Sequence, residues 1–171
     1  YGIGRHDLIL NLGGGVITDM GGFIASCYKR GCDFINIPTS LLAMVDASIG
    51  GKTGINLGFY KNQIGVFSVP AALYIDPSFL TTLPDDEYMS GYAEMLKHGI
   101  ISDQQLFNDV INCMKGEFEF NDDLLIRCIE VKNTIVIEDP LEKGVRKILN
   151  FGHTIGHAIE GYYMENSISH G

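Results

Sequence analysis

The sequence is short of basic residues, has few cysteines and contains no long apolar run, and each shortage narrows what the chain can be. Lysine and arginine total 12 against 21 aspartates and glutamates, a net charge of −9. That balance argues against a nucleic-acid binder, which needs a basic face. It leaves an anionic small molecule open, because there the placement of a few cations matters more than their number. The four cysteines (Cys27, Cys32, Cys113, Cys128) form no Cys-x-x-Cys pair. They read as reduced, buried thiols of a cytoplasmic protein rather than a disulfide framework. Apolar stretches are interrupted by Gly, Asp, Asn or Lys well short of a membrane span, so no membrane partner is expected. A charged leader followed by an apolar core and cleavage site is also missing at the start, as is an initiator Met. The chain is expected to be a segment of something longer.

What remains is ordinary globular material. The 171 residues are 46% hydrophobic and 19% charged, enough for one sizeable domain or two small ones. Asp7 to Leu12 is an apolar run that feeds Gly13-Gly14-Gly15, a strand entering a tight turn. Helical spacing begins at Asp19 and stops at the Lys29-Arg30-Gly31 terminus. Asp33 to Ile37 reads as a strand ended by Pro38, after which Thr39 or Ser40 could cap a helix through Val45. Residues 50–67 read as a long, ordered, glycine-rich loop, and 71–75 as a further strand. After Pro84, segments 85–102, 103–115, 121–138 and 147–164 carry apolar residues at helical spacing. The expectation is an alternating α/β part over residues 1–84 and an all-helical part over 85–171.

Four motifs carry chemistry. The turn from Gly13 to Gly22, with Asp19 inside it, lets backbone amides at a helix start meet a pyrophosphate; a plain tight turn is the competing reading. The stretch from Pro38 through Asp46, Ser48 and Gly50-Gly51-Lys52 to Asn56, continued by Lys61-Asn62, combines cations, amide donors and free backbone. A solvated surface loop competes with it. In Gly91-Tyr-Ala-Glu94-Met-Leu-Lys97-His98, Glu94 and Lys97 are three apart on a helix, by default a surface ion pair worth about 0.3–0.5 kcal/mol. Finally, Arg146 to Glu160 places His153 and His157 at i and i+4, the spacing of zinc helices, and His170 follows. Taken together, the residues suggest a metal- and dinucleotide-dependent enzyme acting on an anionic, hydroxylated substrate.

With these residues in view, the sequence closely resembles the 3-dehydroquinate synthases. The match runs from Gly13 to Gly171 and includes Pro38-Thr39-Ser40-Leu-Leu-Ala-x-Val-Asp46-x-Ser-x-Gly-Gly-Lys52, Lys61-Asn62, Thr82-Leu-Pro84 and Leu149-Asn150-x-Gly-His153-Thr-x-Gly-His157. The resemblance implies a Rossmann-like NAD-binding α/β part followed by an all-α metal-binding domain, truncated at both ends, with the active site in the cleft. The metal, zinc or cobalt, would be held by Glu94, His153 and His170, so that His157 faces substrate instead. Asp46, Lys52, Asn62, Lys97 and Lys132 would surround the substrate together with Glu142, Arg146, Asn150 and His157. Arg30 would reach a neighbour's substrate phosphate across a homodimer interface. NAD would touch Gly14, Gly15, Asp19, Thr39 and Ser40, and also Leu42, Lys61, Thr82 and Glu87. The implied substrate is a phosphorylated sugar acid, 3-deoxy-D-arabino-heptulosonate 7-phosphate. The implied reaction of this shikimate-route lyase gives 3-dehydroquinate and phosphate by transient oxidation, elimination, reduction and aldol closure. Two rivals are nearby: other sugar-phosphate cyclases such as 2-deoxy-scyllo-inosose synthase, and glycerol dehydrogenase-like metal-dependent alcohol dehydrogenases. The latter act on neutral polyols, for which the cations at Lys52, Lys61 and Arg146 would be superfluous.

Overall fold

The computed structural model describes residues 2, 4–58, 60–117, 119–153, 155, 156 and 159, with the side chains of Tyr60 and Lys61 left aside. The chain forms two compact units, residues 1–82 and 83–171.

The first unit is built on a three-stranded parallel sheet in the order β1 (Ile9–Gly13), β2 (Phe34–Pro38), β5 (Ala72–Leu73). Register runs Ile9 opposite Phe34 through Gly13 opposite Pro38, so β1 and β2 end at the same edge. Helix α1 (Gly15–Cys27) connects them and buries Thr18, Gly22 and Ala25. The sheet face below carries a polar pair beside buried Phe34 and Pro38: Asn11 and Asn36 are buried register partners, and the Asn11 amide donates to Asn36 Oδ1 at 3.0 Å. Each buried amide thus finds its partner in the other. Gly21 of α1 lies against the Asn11 side chain with no room for a Cβ. A Cβ on Gly22 would stand 2.6 Å from Thr53 Cγ2. Helix and sheet approach this closely only because both positions are glycine.

Residues expected as a loop form instead an antiparallel hairpin, β3 (Lys52–Leu57) and β4 (Tyr60–Phe67), with an irregular register between Ile55 and Leu57. Gly54 opposes Gly65, and Thr53 Oγ1 donates to the Val66 carbonyl at 2.9 Å. The helix expected from Asp19 starts four residues earlier, at Gly15. The strand expected over 71–75 shrinks to Ala72–Leu73.

The second unit is helical. Helix α2 (Asp85–Ser102) follows Pro84 and opens with Asp85, Asp86 and Glu87, acids that suit the positive end of a helix. It passes to α3 (Gln104–Met114) through a single residue, Asp103. The Asp103 amide donates to the Gly99 carbonyl, closing α2. Its carboxylate accepts from the amides of Gln105 (3.0 Å) and Leu106 (3.1 Å), opening α3. Helix α4 (Asp122–Glu138) is capped by Asn121, which accepts from the Leu124 amide. Met95, Leu106, Val110, Leu124, Cys128 and Leu149 are among the core residues of this unit. The segment expected as a helix over 147–164 begins as a 3₁₀ turn, Val145–Asn150. Much of its remainder lies outside the described residues. No helix among the described residues is long and apolar enough to cross a membrane.

Candidate functional site

In the first unit the candidate nucleotide residues collect where the parallel strands β1 and β2 end. This is the edge at which doubly wound sheets bind ligands. Gly14 caps α1 and Gly15 is its first residue, the first helical hydrogen bond running from the Ile17 amide to the Gly14 carbonyl. The amides ahead of that bond face the end of the helix, where the dipole favours an anion. The Thr39 amide donates to the Gly13 carbonyl at 3.0 Å and ties the second loop to the first. A Cβ on Gly14 would sit 3.4 Å from Ser40 Oγ, and one on Gly15 would sit 3.0 Å from Ala47 Cβ. Ser40 Oγ itself accepts from the Ala43 amide, starting a short helical segment that turns π-helical at Ala43–Ala47.

That π turn carries Asp46, half-buried, with Leu42 just before it. Asp19 is half-buried on α1. Lys52 is exposed at the start of β3. Asn62 lies exposed on β4 in left-handed backbone (φ 52°), its amide donating to Asn56 Oδ1. Lys61 precedes it, and its side chain is outside the described set. Arg30 is exposed and left-handed (φ 70°), directly after left-handed Lys29 (φ 47°). Two such residues in succession cost about 1–3 kcal/mol each. Thr82 is exposed at the end of the 3₁₀ turn Pro77–Thr82.

In the second unit, Glu87 is exposed in the first turn of α2. Deeper in that helix, Glu94, Lys97 and His98 are 4%, 6% and 0% exposed. Glu94 and Lys97 form an ion pair. The pair expected at the surface is therefore buried, where removal of one partner costs about 3–5 kcal/mol. A carboxylate oxygen of Glu94 and a ring nitrogen of His98 lie within 4.8 Å of each other. The sequence signal for His98 is its i+4 spacing from Glu94, the same logic that applies to His153 and His157. A carboxylate oxygen and an imidazole nitrogen on one buried helix face suit a borderline divalent cation.

Lys132 on α4 and Arg146 after it are 6% and 1% exposed. Among the described residues of this unit, the buried cationic side chains are Lys97, Lys132 and Arg146, and the buried carboxylate is Glu94. Arg146 Nη1 donates to the Pro140 carbonyl at 2.7 Å. Asn150 donates to Glu142 Oε1 at 2.8 Å, and Glu142 is left-handed (φ 57°). Glu142 and Asn150 line one open recess with Lys147, Ile148 and Phe151. His153 is half-buried, its Nδ1 3.4 Å from the Phe151 carbonyl. His157 and His170 lie outside the described residues.

Known proteins match both units. The family described as 3-dehydroquinate synthase N-terminal matches residues 1–90, and that described as 3-dehydroquinate synthase C-terminal matches 91–171. A 3-dehydroquinate synthase of Parabacteroides distasonis is 51% identical over 93% of this chain and 46% of its own length. Among solved structures, 2-epi-5-epi-valiolone synthase from Streptomyces hygroscopicus, with NAD+ and Zn2+ bound, superposes with a TM-score of 0.89 at 31% identity. The match covers 96% of this chain and 48% of that one. A 2-deoxy-scyllo-inosose synthase complexed with carbaglucose-6-phosphate, NAD+ and Co2+ gives 0.82 at 28% identity, covering 97% and 47%. The chain spans about half the length of the relatives it matches. Across both units, then, the chain belongs to the 3-dehydroquinate synthase family.

Proposed function

We propose that the whole protein is a 3-dehydroquinate synthase. It converts 3-deoxy-D-arabino-heptulosonate 7-phosphate to 3-dehydroquinate and phosphate, as a cytoplasmic homodimeric lyase of the shikimate route. Family membership sets the reaction class. The observation that supports an anionic substrate is that three cationic side chains, Lys97, Lys132 and Arg146, are buried in the second unit.

In this reading residues 1–84 bind NAD and 85–171 hold metal and substrate. The Gly14–Gly15 turn suits a dinucleotide, because glycine leaves the backbone amides at the start of α1 open to a pyrophosphate, and at Gly15 a Cβ would also press on Ala47 Cβ at 3.0 Å. Thr39, Ser40, Leu42, Asp19, Lys61, Thr82 and Glu87 complete the proposed cofactor contacts. Glu94, His153 and His170 are the proposed metal ligands, and buried His98 adds a fourth donor on α2. When bound, NAD supplies reversible hydride transfer and the zinc or cobalt ion polarises the reacting alcohol. The chain's own side chains do the rest. Lys97, Lys132, Arg146, Lys52 and Asn62 hold the carboxylate and phosphate, and that fixed orientation is worth several kcal/mol of barrier. In the same reading Asp46, Glu142, Asn150 and His157 orient hydroxyls and move protons, while Arg30 meets the neighbour's substrate phosphate.

The test is phosphate release from the heptulosonate phosphate by the whole protein, with and without chelator, alongside the substrate of 2-deoxy-scyllo-inosose synthase. Turnover of the heptulosonate phosphate alone, lost on chelation and restored by Zn2+ or Co2+, is expected. Preference for the sugar phosphate without a carboxylate would move the protein to the neighbouring cyclases. Glu94→Gln should lose bound metal by elemental analysis and slow phosphate release about a hundredfold or more. Full metal content in that variant would remove Glu94 from the ligand set.

A further inference from the structure

Beyond the residues already given roles stands Asp139, the residue that ends α4. Its own amide donates to the Ile135 carbonyl at 3.1 Å, and its carbonyl accepts from the Glu142 amide at 3.2 Å. Its carboxylate gathers the backbone that follows. Oδ1 accepts from the Lys143 amide at 2.9 Å, and Oδ2 accepts from the amides of Gly144 at 2.6 Å and Arg146 at 3.1 Å. Three donors on one carboxylate fold the Pro140–Val145 stretch back onto the end of the helix.

Everything of interest in this stretch depends on that fold. Glu142 sits in left-handed backbone (φ 57°), which a residue with a side chain holds only when its surroundings fix it. Glu142 Oε1 in turn receives the Asn150 amide. Arg146 is held at both ends, its amide by Asp139 and its guanidinium by the Pro140 carbonyl. Partial desolvation of the Asp139 carboxyl is outweighed by the amides of Gly144, Lys143 and Arg146, which hold it below the usual carboxylate range.

We propose that Asp139 is a positioning residue: by collecting the amides of Lys143, Gly144 and Arg146 it sets where Glu142, Arg146 and Asn150 present themselves to the anionic substrate. The inference rests on the functional reading above for its substrate. An asparagine at this position would replace one acceptor oxygen with an NH2 group facing backbone donors. The loop would then have to shift to relieve donor against donor.

The experiment compares wild type and Asp139→Asn in the whole protein. Expected are a KM for the heptulosonate phosphate raised about tenfold or more, since displacements near 1 Å in a positioning group have effects of that order. NAD affinity should stay within about twofold, because none of the proposed NAD residues belongs to this loop. Amide exchange at Lys143, Gly144 and Arg146 should accelerate while that of α3 stays unchanged. A residue that merely stabilised the fold would lower the melting temperature and the active fraction but leave KM alone, and that result overturns the proposal. If Asp139→Asn does not fold, Asp139→Glu, which keeps the charge and moves the acceptors by one methylene, must show the same KM and exchange changes. Wild-type protein inert toward the heptulosonate phosphate would sink the functional reading. The exchange comparison would still decide the positioning, and unchanged protection at the three amides would refute it.

Discussion

Gly99, one residue past His98 on α2, is a point where sequence rules and structure give opposite signs. By propensity alone, Gly99→Ala in the interior of a helix should stabilise by about 1 kcal/mol. In the structure an added Cβ would stand 2.6 Å from Phe107 Cα, 2.7 Å from its nitrogen and 2.8 Å from its Cβ. These are the backbone and root of α3, not the end of a flexible side chain. Relief therefore requires α2 and α3 to separate, and their one-residue connection at Asp103 leaves little slack. Overpacking of this kind costs about 1–3 kcal/mol. With the upper end appropriate for a backbone contact, and the propensity gain subtracted, the net loss is about 2 kcal/mol. For a protein of this size that lowers the melting temperature by about 4–8 °C. Thermal unfolding followed by circular dichroism measures it, checked against the urea midpoint. Phe107→Ala keeps all three crowding atoms, so the double variant should recover nothing of the Gly99→Ala loss. A Gly99→Ala protein as stable as wild type, or rescue by Phe107→Ala, would refute the reasoning.

Two further outcomes follow from side chains outside the site. Arg127 Nη1 lies 2.7 Å from Asp109 Oδ2 and 3.8 Å from Asp123 Oδ2, and Nη2 lies 3.9 Å from Asp103 Oδ2. The Arg127 hydrogen bond, against some desolvation and helped by Gln105, holds the Asp109 carboxyl below its usual range. Its stabilisation is therefore present above the unfolded carboxylate range near ~4 and disappears as pH falls through the lower folded value. A double-mutant cycle of Arg127→Met with Asp109→Asn should give about 0.5–1 kcal/mol at pH 7 for this partly exposed pair, with the coupling vanishing in acid. Coupling that persists at pH 2 would contradict the assignment. Cys27 is exposed, whereas Cys128 is fully buried, its thiol pushed up to about 12 chiefly by burial. A thiol reagent on native protein should modify Cys27 first and reach Cys128 only on unfolding. Early labelling of Cys128, seen by mass spectrometry, would show that α4 packs otherwise.

The legible parts of the sequence were those where local chemistry and tertiary packing agree. Helix α2 was readable from Asp85 to Ser102 because Pro84 and three acids mark its start and Asp103 its end. The β3–β4 hairpin was hidden because strand signals rely on β-branched and aromatic residues, while here Gly54 faces Gly65 and the chain turns at left-handed Gly58. The start of α1 was masked for a related reason: Gly14 caps it with no side-chain hydrogen bond to announce the position. At the site, residue types were readable but burial was not. The buried face of α2 mixes Ser90, Glu94, Lys97 and His98 with Met95, so the spacing revealed the helix but not which polar side chains it buries. The left-handed backbone at Glu142 and the amides gathered by Asp139 depend on three-dimensional closure that no spacing rule encodes.

Asp103 ends one helix and begins the next, and this fixes the angular phase of α3 relative to α2. Each residue advances a helix by about 100°, so a single codon gained or lost at that junction would turn α3 on its axis by more than a quarter revolution. Leu106, Val110 and Cys113 would swing away from the interior and polar positions would replace them. Substitution is therefore open to evolution at this corner, whereas a change of length is not. The tempo of insertions and deletions across the family should fall sharply here, and rise at exposed Gly116, where the chain has open space around it.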